Sequence, residues 1–540
     1  MDSTAKWNCV TLARLLKLYG VKHAVVSPGT RNAPLIVALA RTQDIELHYV
    51  VDERSAAFVA LGIAIQTGQP VPVVCTSGSA LLNYAPAVAE AFYRRIPLIV
   101  VSADRPYNLI DQRDSQTIVQ PGALANIVRC TVDIRPDLGM PQERSYVNRI
   151  INNALQKALG NIPGPVHINV QLDAPLNEMA EYEDYDNDCY KISCLAPAPD
   201  SASLCSLLRE AGITADKKIM VICGGLSPLA KLSAANMPAN IVVLAEAQAN
   251  IAGAMPLGLI DRELKNIQSP DIVITLGGSL VSARTKAWLR REDSLCHISL
   301  GYDDCIVDTF GKLKFVIEAQ ETEFLNALRI VCNQSCTNYL GTIENAVENA
   351  GKWLENESNK LSSPVRVMRD ISQAVTDKCA AVHISNGSAV RYAQLFPWPV
   401  PVESNRGVSG IDGCSSTAVG ASLVSDAPVL LVTGDVSAAY DMAALTVGEL
   451  DKRFRMIVFD NRGGDIFRNI SATRNLPECE PYLAALPRFP LEKVARNAAM
   501  EYTRLDAEQL NAAQINALLS APGPAVLHII FNPNDTKDLL

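Results

Sequence analysis

Five short apolar runs alternate with helix-like segments over residues 1 to about 178, and this alternation constrains the fold more than any other feature of the chain. Each run is rich in Val and Ile and ends in polar, Gly or Pro residues. Such runs predict buried strands, and the segments between them predict helices. The alternation is typical of βαβ units, which build a parallel sheet. The runs with their polar ends are HAVVSPGTR, IELHYVVDER, VPVVCTSGSA, LIVVSADRP and VHINVQLDAP.

The same pattern occurs in two further parts of the chain. A second α/β unit begins after an acidic stretch at 177–190 and closes near Glu318. From about residue 366, strand-like runs again end in polar turns, as in PVLLVTGDVS and RMIVFDNRGG. We predict an α/β fold in which parallel sheets are flanked by helices, with three domains at 1–180, 195–350 and 362–540. The first and third domains are expected to be related in pattern.

Composition and charge argue against several classes of protein. The net charge of −9 argues against nucleic acid as a partner. No window reaches the ~20 apolar residues of a membrane span, so we expect no membrane partner. The 14 cysteines form no C-x-x-C pair, which predicts reduced thiols. Together these features predict a cytoplasmic protein with several hydrophobic cores.

Two predicted strands of the third domain end in polar residues that could share one ligand. Asp435 follows one strand and Asn461 follows the next, 461 − 435 = 26 residues later. Open α/β sheets bind ligands at the carboxyl ends of their strands, and oxygen donors suit Mg²⁺ held together with phosphates. Gly463 and Gly464 would let the backbone approach a phosphate closely. The pattern indicates a metal–diphosphate site, and the alternative is a pair of ordinary strand-end turns.

Glu53 lies where a predicted strand gives way to a helix, in YVVDERSAAF. It is either a charge favoured by the helix dipole or a partly buried proton-transfer group, and the residues leave both readings open. Ile411, which stands among glycines in SGIDG, is either a loop anchor or a support pressed against a ligand ring. The six histidines lie mostly within apolar strand runs, and none of them is a candidate base.

Three arginines stand at the ends of predicted strands: Arg31, Arg105 and Arg406. One such arginine carries little information, because helix caps and turns are common at these positions. Three at corresponding sheet edges suggest recognition of carboxylates, which the bidentate guanidinium suits.

Taken together, these segments resemble thiamine-diphosphate-dependent enzymes. Their common signature begins Gly-Asp-Gly and ends in Asn-Asn about 30 residues later. This chain has Gly434-Asp435-Val436 and Asp460-Asn461, so two letters differ. The closer resemblance is to the 2-succinyl-5-enolpyruvyl-6-hydroxy-3-cyclohexene-1-carboxylate synthase branch, which serves menaquinone biosynthesis. It covers essentially the whole chain, through SPGTRNAPL, DERSAAFVALG, TSGSA, ADRP, SNRGVSGIDG and GDVSAAYD in that order.

The resemblance implies a pyrimidine-binding domain, a central domain and a diphosphate-binding domain. Thiamine diphosphate would lie between the first domain of one subunit and the last domain of another, in a homodimer or homotetramer. Asp435, Asn461 and the Gly463 carbonyl would hold Mg²⁺ or Mn²⁺, and Glu53 would contact N1′ of the aminopyrimidine. The implied catalytic residues are Glu53, Arg31 and Ile411. The implied cofactor contacts are Glu53, Thr76, Gly387, Gly410, Ile411, Gly434, Asp435, Val436, Ser437, Asn461, Gly463, Gly464, Ile466 and Phe467.

The activity implied by the resemblance is decarboxylation of 2-oxoglutarate and addition of the succinyl group to isochorismate. Both substrates are dicarboxylates, and their implied contacts are Arg31, Arg105, Gln116, Arg284, Arg391 and Arg406. Ser115 and Ala283 depart from the family pattern just before Gln116 and Arg284, and Gly387 departs from it just after Asn386. One alternative is another thiamine-diphosphate lyase or decarboxylase, such as an acetolactate synthase. Another is a cofactor-binding protein without catalytic activity.

Overall fold

Three parallel six-stranded sheets, each flanked by helices, organise the computed structural model of this chain. The structure describes residues 2–136, 141–182, 189–192, 201–302, 306–334, 337–360, 362–376, 378–446, 448, 450–485 and 490–532. Residues 183–188 of the acidic stretch lie outside this part. The predicted α/β class is confirmed.

The first sheet carries the apolar runs of residues 1–178. Its strand order is β3-β2-β4-β5-β7-β6, and every neighbouring pair is parallel. The short strands β1 (Asp2–Thr4) and β8 (Met179–Glu181) pair antiparallel beside it. The other strands are β2 (His23–Val26), β3 (Glu46–Tyr49), β4 (Val71–Cys75), β5 (Leu98–Asp104), β6 (Thr131–Ile134) and β7 (Val166–Gln171). The helices are α1 (Trp7–Leu18), α2 (Ala33–Arg41), α3 (Glu53–Thr67), α4 (Ser79–Asn83), α5 (Ala85–Arg94) and α6 (Pro141–Leu159).

The middle sheet is built differently from the first. Its order, β11-β10-β9-β12-β13-β14, is the 3-2-1-4-5-6 arrangement of doubly wound folds. Its strands are β9 (Ile219–Cys223), β10 (Ile241–Ala245), β11 (Met255–Pro256), β12 (Ile272–Leu276), β13 (Cys296–Leu300) and β14 (Leu313–Ile317). Its helices are α7 (Ser201–Glu210), α8 (Leu257–Ile260), α9 (Ala283–Arg291), α10 (Glu321–Val331) and α11 (Tyr339–Ser358).

The third sheet repeats the topology of the first. Its order, β16-β15-β17-β18-β20-β19, reads 2-1-3-4-6-5 when its strands are numbered from one, and the six parallel strands of the first sheet read the same way. Its strands are β15 (Ala381–Ile384), β16 (Val402–Glu403), β17 (Val429–Gly434), β18 (Phe454–Asp460), β19 (Glu501–Asp506) and β20 (Ala525–Ile530). Its helices are α12 (Pro364–Ala374), α13 (Ser388–Ala393), α14 (Cys414–Leu423), α15 (Asp435–Tyr440), α16 (Asp465–Asn469), α17 (Leu491–Asn497) and α18 (Ala512–Leu519).

Helix α3 of the first unit packs directly on helix α14 of the third. Small residues dominate both helices, and buried side chains from the two belong to one apolar cluster. Two glycines set the separation between the helices. A Cβ on Gly62 would lie 1.9 Å from the carbonyl oxygen of Thr417, and a Cβ on Gly420 would lie 2.1 Å from that of Val59. The backbones therefore touch where no side chain fits.

We expect Gly420→Ala to destabilise the protein by about 3 kcal/mol or more, because the new methyl group must push two helix backbones apart. Gly351→Ala is the matched control. Gly351 also lies within a helix, α11, but nothing lies within 4 Å of its Cβ position. That variant should gain up to about 1 kcal/mol from helix propensity. Urea unfolding followed by circular dichroism measures both changes, and equal midpoints would contradict the close contact.

Two strands of the first and third six-stranded sheets are absent from the sequence-based description, namely β6 and β19. Each is an edge strand of its sheet, β6 beside β7 and β19 beside β20. Each keeps several side chains partly or fully exposed. An edge strand needs little apolar surface, so neither strand produces an apolar run. Among the described residues, no helix is both long enough and apolar enough to cross a membrane.

Candidate active site

Asp435 and Asn461 lie at the ends of neighbouring strands, as the sequence predicts. Strands β17 and β18 are parallel, and Gly434 pairs with Phe459 at their carboxyl ends. Asp435 is the first residue of α15. Its Oδ2 accepts a 2.7 Å hydrogen bond from the backbone N–H of Gly463, so the two strand ends form one unit.

The Asp435 carboxylate is buried, and the cation nearest to it in its electrostatic surroundings, Arg468, forms its salt bridge with Glu480 instead. Its residue is only 6% exposed, and the described residues form no salt bridge to it. Burial raises the pKa of Asp435 to about 7, and the negative charge of Asp460 adds to this effect. A divalent cation at this position would reverse both effects. The buried carboxylate thus fits a metal ion.

The other donors of the predicted metal site lie in the loop after β18. Asn461 is largely buried beside Asp435. The Gly463 carbonyl accepts a 2.8 Å hydrogen bond from the N–H of Asp465, which leaves one oxygen lone pair for another partner. Positive φ angles at Arg462 (61°) and Gly463 (115°) turn the loop sharply. A carboxylate, an amide and a carbonyl are donors that suit Mg²⁺.

Helix α16 follows this loop and carries the residues expected near the cofactor rings. Ile466 and Phe467 are both partly buried there. The ring of Phe467 packs against Gly464, where a Cβ would lie 2.8 Å from a ring carbon. Gly464 therefore has to be glycine for this contact.

Asn386 ties the remaining cofactor-contact candidates to this region. Its Nδ2 donates to the backbone oxygens of Asn405 (2.5 Å) and Gly410 (2.7 Å). The next residue, Gly387, has φ 105°, which favours glycine. From the other side, the hydroxyl of Ser437 donates a 3.4 Å hydrogen bond to the carbonyl of Ile411. Gly387, Gly410 and Ile411 are thus held in one loop cluster beside α15.

Sequence reasoning missed two members of this cluster, Asn386 and Asp465. Asp465 is buried and accepts a 3.4 Å hydrogen bond from Ser388, the residue after the departure at Gly387. Both residues stand in polar strand-end motifs, SNGS and DNRGGD, which is the signal that could have identified them. The contact between Ser388 and Asp465 joins the SNGS loop to the loop that follows β18.

Arg391 and Arg406 lie close together next to Asn386. Nη1 of Arg391 donates to the Gly387 carbonyl (2.5 Å), and Nη1 of Arg406 donates to Oδ1 of Asn386 (3.0 Å). Burial lowers the pKa of Arg391, and the charge of Arg406 lowers it further. Two guanidinium groups so close to each other favour an anionic ligand.

Lys286 joins this cationic pair, although the sequence did not point to it. Burial lowers the pKa of Lys286, the charge of buried Glu246 raises it, and the charges of Arg406 and Arg391 lower it. Arg284, the residue that the family pattern indicates, lies two positions earlier on α9 and therefore points about 200° away around the helix. Its electrostatic neighbours include Asp261 and Arg262. The structure thus groups Lys286, and not Arg284, with Arg391 and Arg406.

Glu53 is the first residue of α3, but it is not the cap of that helix. The cap is Asp52, whose side chain accepts a 2.8 Å hydrogen bond from the Ser55 N–H. Glu53 is partly buried, and its charge contributes to raising the pKa values of buried Cys75 and Tyr84. The Glu53 carboxylate therefore faces the carboxyl end of β4. Because capping is supplied by its neighbour, Glu53 is left available for another role.

The remaining candidates of the first unit gather at the same sheet edge. Thr76 follows β4 and packs against Gly29, where a Cβ would lie only 2.5 Å from the Cβ of Thr76. Arg31 donates a hydrogen bond to the Leu172 carbonyl (2.8 Å). Burial lowers the pKa of Arg31, and the charge of Arg105 lowers it further. Gln116 has φ 62°, and its carbonyl accepts from Ser77 (2.9 Å). Arg31, Arg105, Thr76 and Gln116 thus form one edge.

All six histidines lie in strands, as predicted. Burial lowers the pKa of His167 to about 4 and that of His383 to about 3, so both stay neutral near pH 7. These two are packed residues of the strand cores.

Comparison with known proteins finds relatives that match this chain over nearly its whole length. The family described as "Thiamine pyrophosphate enzyme, N-terminal TPP binding domain" matches residues 10–123. A Desulfotalea psychrophila protein named 2-succinyl-5-enolpyruvyl-6-hydroxy-3-cyclohexene-1-carboxylate synthase is 34% identical, over 98% of this chain and 99% of the relative. Proteins of the same name from Phocaeicola vulgatus and Porphyromonas gingivalis are 34% and 33% identical, over 89% and 98% of this chain and 88% and 95% of theirs. The chain therefore belongs to the 2-succinyl-5-enolpyruvyl-6-hydroxy-3-cyclohexene-1-carboxylate synthase family of thiamine-diphosphate-dependent enzymes.

Proposed function

We propose that this chain joins 2-oxoglutarate to isochorismate with loss of CO₂, giving 2-succinyl-5-enolpyruvyl-6-hydroxy-3-cyclohexene-1-carboxylate for menaquinone biosynthesis. The observation that carries the proposal is the cationic group of Arg391, Arg406 and Lys286 beside the Asp435 loop. Each substrate has two carboxylates, and the relatives are named for this product. A lyase for small neutral side chains, such as an acetolactate synthase, has no need of so many cations.

The third unit would hold the diphosphate end of the cofactor. Asp435, Asn461 and the Gly463 carbonyl supply the oxygen donors for Mg²⁺ or Mn²⁺, and the glycines of the loop admit the phosphates. Gly434, Val436 and Ser437 surround Asp435 at the start of α15. When bound, thiamine diphosphate supplies the electron sink for loss of CO₂ and for formation of the new C–C bond.

The first unit would hold the reacting end of the cofactor. Glu53 would exchange a proton with N1′ of the aminopyrimidine, and its partial burial and its freedom from the capping role support this. Thr76 would contact the same ring at the end of β4. Ile411, fixed by Ser437 through its carbonyl, would support the bent cofactor from the third unit.

The arginines would position the two dicarboxylates. Arg31, Arg105 and Gln116 share the edge of the first sheet, while Arg391 and Arg406 share the edge of the third. A substrate between the two edges would meet cations on both sides. Arg284, which is exposed on α9, stays a proposed contact, and Lys286 is added as a second one from the same helix.

We propose a homodimer or homotetramer in which the two edges come from different subunits. Exposed apolar side chains next to Glu53 support this arrangement. Tyr49 is 60% exposed and Val51 is 57% exposed. Tyr440 at the end of α15 and Met442 just after it are also exposed. Arg54 stacks on Tyr440, so the exposed side chains before α3 lie beside those at the end of α15. A partner subunit would remove this apolar surface from water.

Turnover of 2-oxoglutarate with isochorismate, in the presence of thiamine diphosphate and Mg²⁺, tests the proposal directly. We expect CO₂ release and formation of the adduct to be stoichiometric. Pyruvate replaces 2-oxoglutarate in the control. Faster CO₂ release from pyruvate would favour an acetolactate-synthase-type activity, and no turnover of any 2-oxo acid despite cofactor binding would indicate a binding protein.

We expect Arg391→Gln to lower kcat/KM for the dicarboxylate that it binds by about 10- to 100-fold, the loss of one charge-assisted hydrogen bond. Arg496→Gln is the control, because Arg496 is exposed and pairs with Glu492 on α17, outside the proposed site. Steady-state kinetics with each substrate varied in turn show which KM rises. If Arg391→Gln and Arg496→Gln behave alike, Arg391 has no role in substrate binding.

A further inference from the structure

Three metal-ligating side chains meet on the edge of the first sheet, in a position that the proposed reaction does not use. Strands β2 and β3 are parallel, and His23 lies directly beside Glu46. His48 is two residues further along β3, so its side chain points to the same face of the sheet as that of Glu46. The ligand atoms of the three residues all lie within 4.8 Å of one another.

The separations between these atoms match those around a single metal ion. Nδ1 of His23 lies 3.2 Å from Nε2 of His48 and 3.6 Å from Oε2 of Glu46. Two ligands bonded at about 2.0–2.1 Å to a tetrahedral zinc ion are roughly 3.4 Å apart. The distances from His23 Nδ1 to both neighbours are thus close to the ligand–ligand distance in such a site. A simple hydrogen bond would need only one of the two contacts.

The electrostatic surroundings favour neutral imidazoles beside a carboxylate. Burial is the main reason that the pKa values of His23 and His48 lie below the ordinary histidine value, and this keeps the ring lone pairs free at neutral pH. Arg453, whose charge interacts with Glu46, is itself paired with Asp451 through contacts of 2.5 and 2.8 Å. Its charge is thereby largely neutralised.

Space for further ligands is present next to Glu46 and His48. Glu46 and His48 line a partly open cavity of about 140 Å³ between β3 and the α14 side of the third unit, and Val419 and Leu423 form part of the opposite wall. Such a volume admits several water molecules. Three protein donors plus water would complete a four-coordinate ion.

We propose that His23, Glu46 and His48 bind a divalent transition-metal ion of the zinc class. Two imidazoles and one carboxylate favour Zn²⁺ over Mg²⁺, which prefers oxygen donors alone. The site belongs to the first sheet and is separate from the Asp435 loop of the third, so it goes beyond the proposed function. It would join two strands at the edge from which the chain continues to Glu53.

The test is Zn²⁺ binding to the full-length protein with thiamine diphosphate and Mg²⁺ saturating the cofactor site. The double variant His23→Asn/His48→Gln keeps amide groups near the positions of Nδ1 and Nε2, so packing and hydrogen bonding are largely retained. We expect equilibrium dialysis to show one Zn²⁺ ion fewer per chain in this variant, or at least about tenfold weaker binding. Melting temperatures in the presence of a chelator should agree, which shows that the fold is intact.

Asp435→Asn is the second comparison, and it should retain the zinc ion that the double variant loses. Equal Zn²⁺ binding by the wild type and the double variant would overturn the proposal and leave a hydrogen-bonded histidine pair. Because any binding by cysteines is common to all variants, it cancels in the comparison. Anomalous diffraction from a zinc-soaked wild-type crystal requires no variant: a peak between His23 and His48 supports the site, and its absence there overturns it.

Discussion

The Glu53→Gln variant is expected to bind thiamine diphosphate almost normally and to lose about 10²- to 10⁴-fold in kcat, the usual contribution of a positioned proton-transfer group. The amide keeps the size of the side chain but cannot take up or release the proton at N1′. Helix α3 should be unaffected, because its N-terminal hydrogen bond comes from Asp52. Cofactor affinity from fluorescence titration and kcat from CO₂ release are the two measurements.

Asp52→Asn is the matched control for this variant. It removes the neighbouring carboxylate but retains an oxygen that can accept from the Ser55 N–H. We expect its kcat to stay within about threefold of the wild type, since Asp52 has only a capping role. Full activity in Glu53→Gln would remove Glu53 from the mechanism, and equal losses in both variants would point to the charge of the segment instead.

The sequence predicts the adjacency of Asp435 and Asn461 well because few physical rules are needed. Val-rich runs form buried parallel strands, and parallel strands place their carboxyl ends at one edge. Asp435 and Asn461 therefore have to be neighbours once β17 and β18 are adjacent, and the Gly463–Asp435 hydrogen bond confirms this. The first and third sheets share one strand order, and the repeated sequence pattern predicts that the two units are related.

The substrate-side residues are harder to predict from sequence. Which of Arg284 and Lys286 faces Arg406 depends on where α9 begins, and a shift of two positions moves a side chain to the opposite face. The role of Asp52 depends on its φ and ψ angles at the start of α3, which decide which of two adjacent carboxylates is the cap. Neither quantity is encoded in residue spacing. Strands β6 and β19 escape detection for a different reason, because an edge strand can remain polar.

The shared topology of the first and third units also explains how the two halves of the proposed site would arise. Each sheet ends in a polar edge, one carrying Glu53 and Thr76 and the other carrying Asp435 and Asn461. The α3–α14 contact fixes these two units to each other within one chain through Gly62 and Gly420. A dimer would then present the edges of one chain to those of another without any new type of element.

The Asp435→Asn variant is expected to be more stable than the wild type without cofactor, and to gain less stability than the wild type when cofactor and metal bind. Without ligands, the native carboxyl has a pKa of about 7 against an ordinary value of 3.8. The native state therefore binds more protons than the unfolded state between these pH values, and stability falls as the pH rises through this range. At pH 8 the neutral amide should stabilise the cofactor-free protein by about 1–4 kcal/mol, and at pH 4 this advantage should be absent.

With thiamine diphosphate and Mg²⁺ the wild type gains more stability than the variant, because the buried carboxylate gains its cation and the variant cannot supply the charge. Ligand at 100 times its Kd should add about 2.7 kcal/mol to the stability of the wild type and far less to that of the variant, which should also lose activity. Differential scanning calorimetry at pH 4 and pH 8, with and without cofactor and metal, measures all four conditions for each protein. Equal cofactor-induced increases in stability in the two proteins would mean that Asp435 does not hold the metal. A loss of stability in the variant at pH 8 without ligands would mean that the protein itself already compensates the charge of the buried carboxylate.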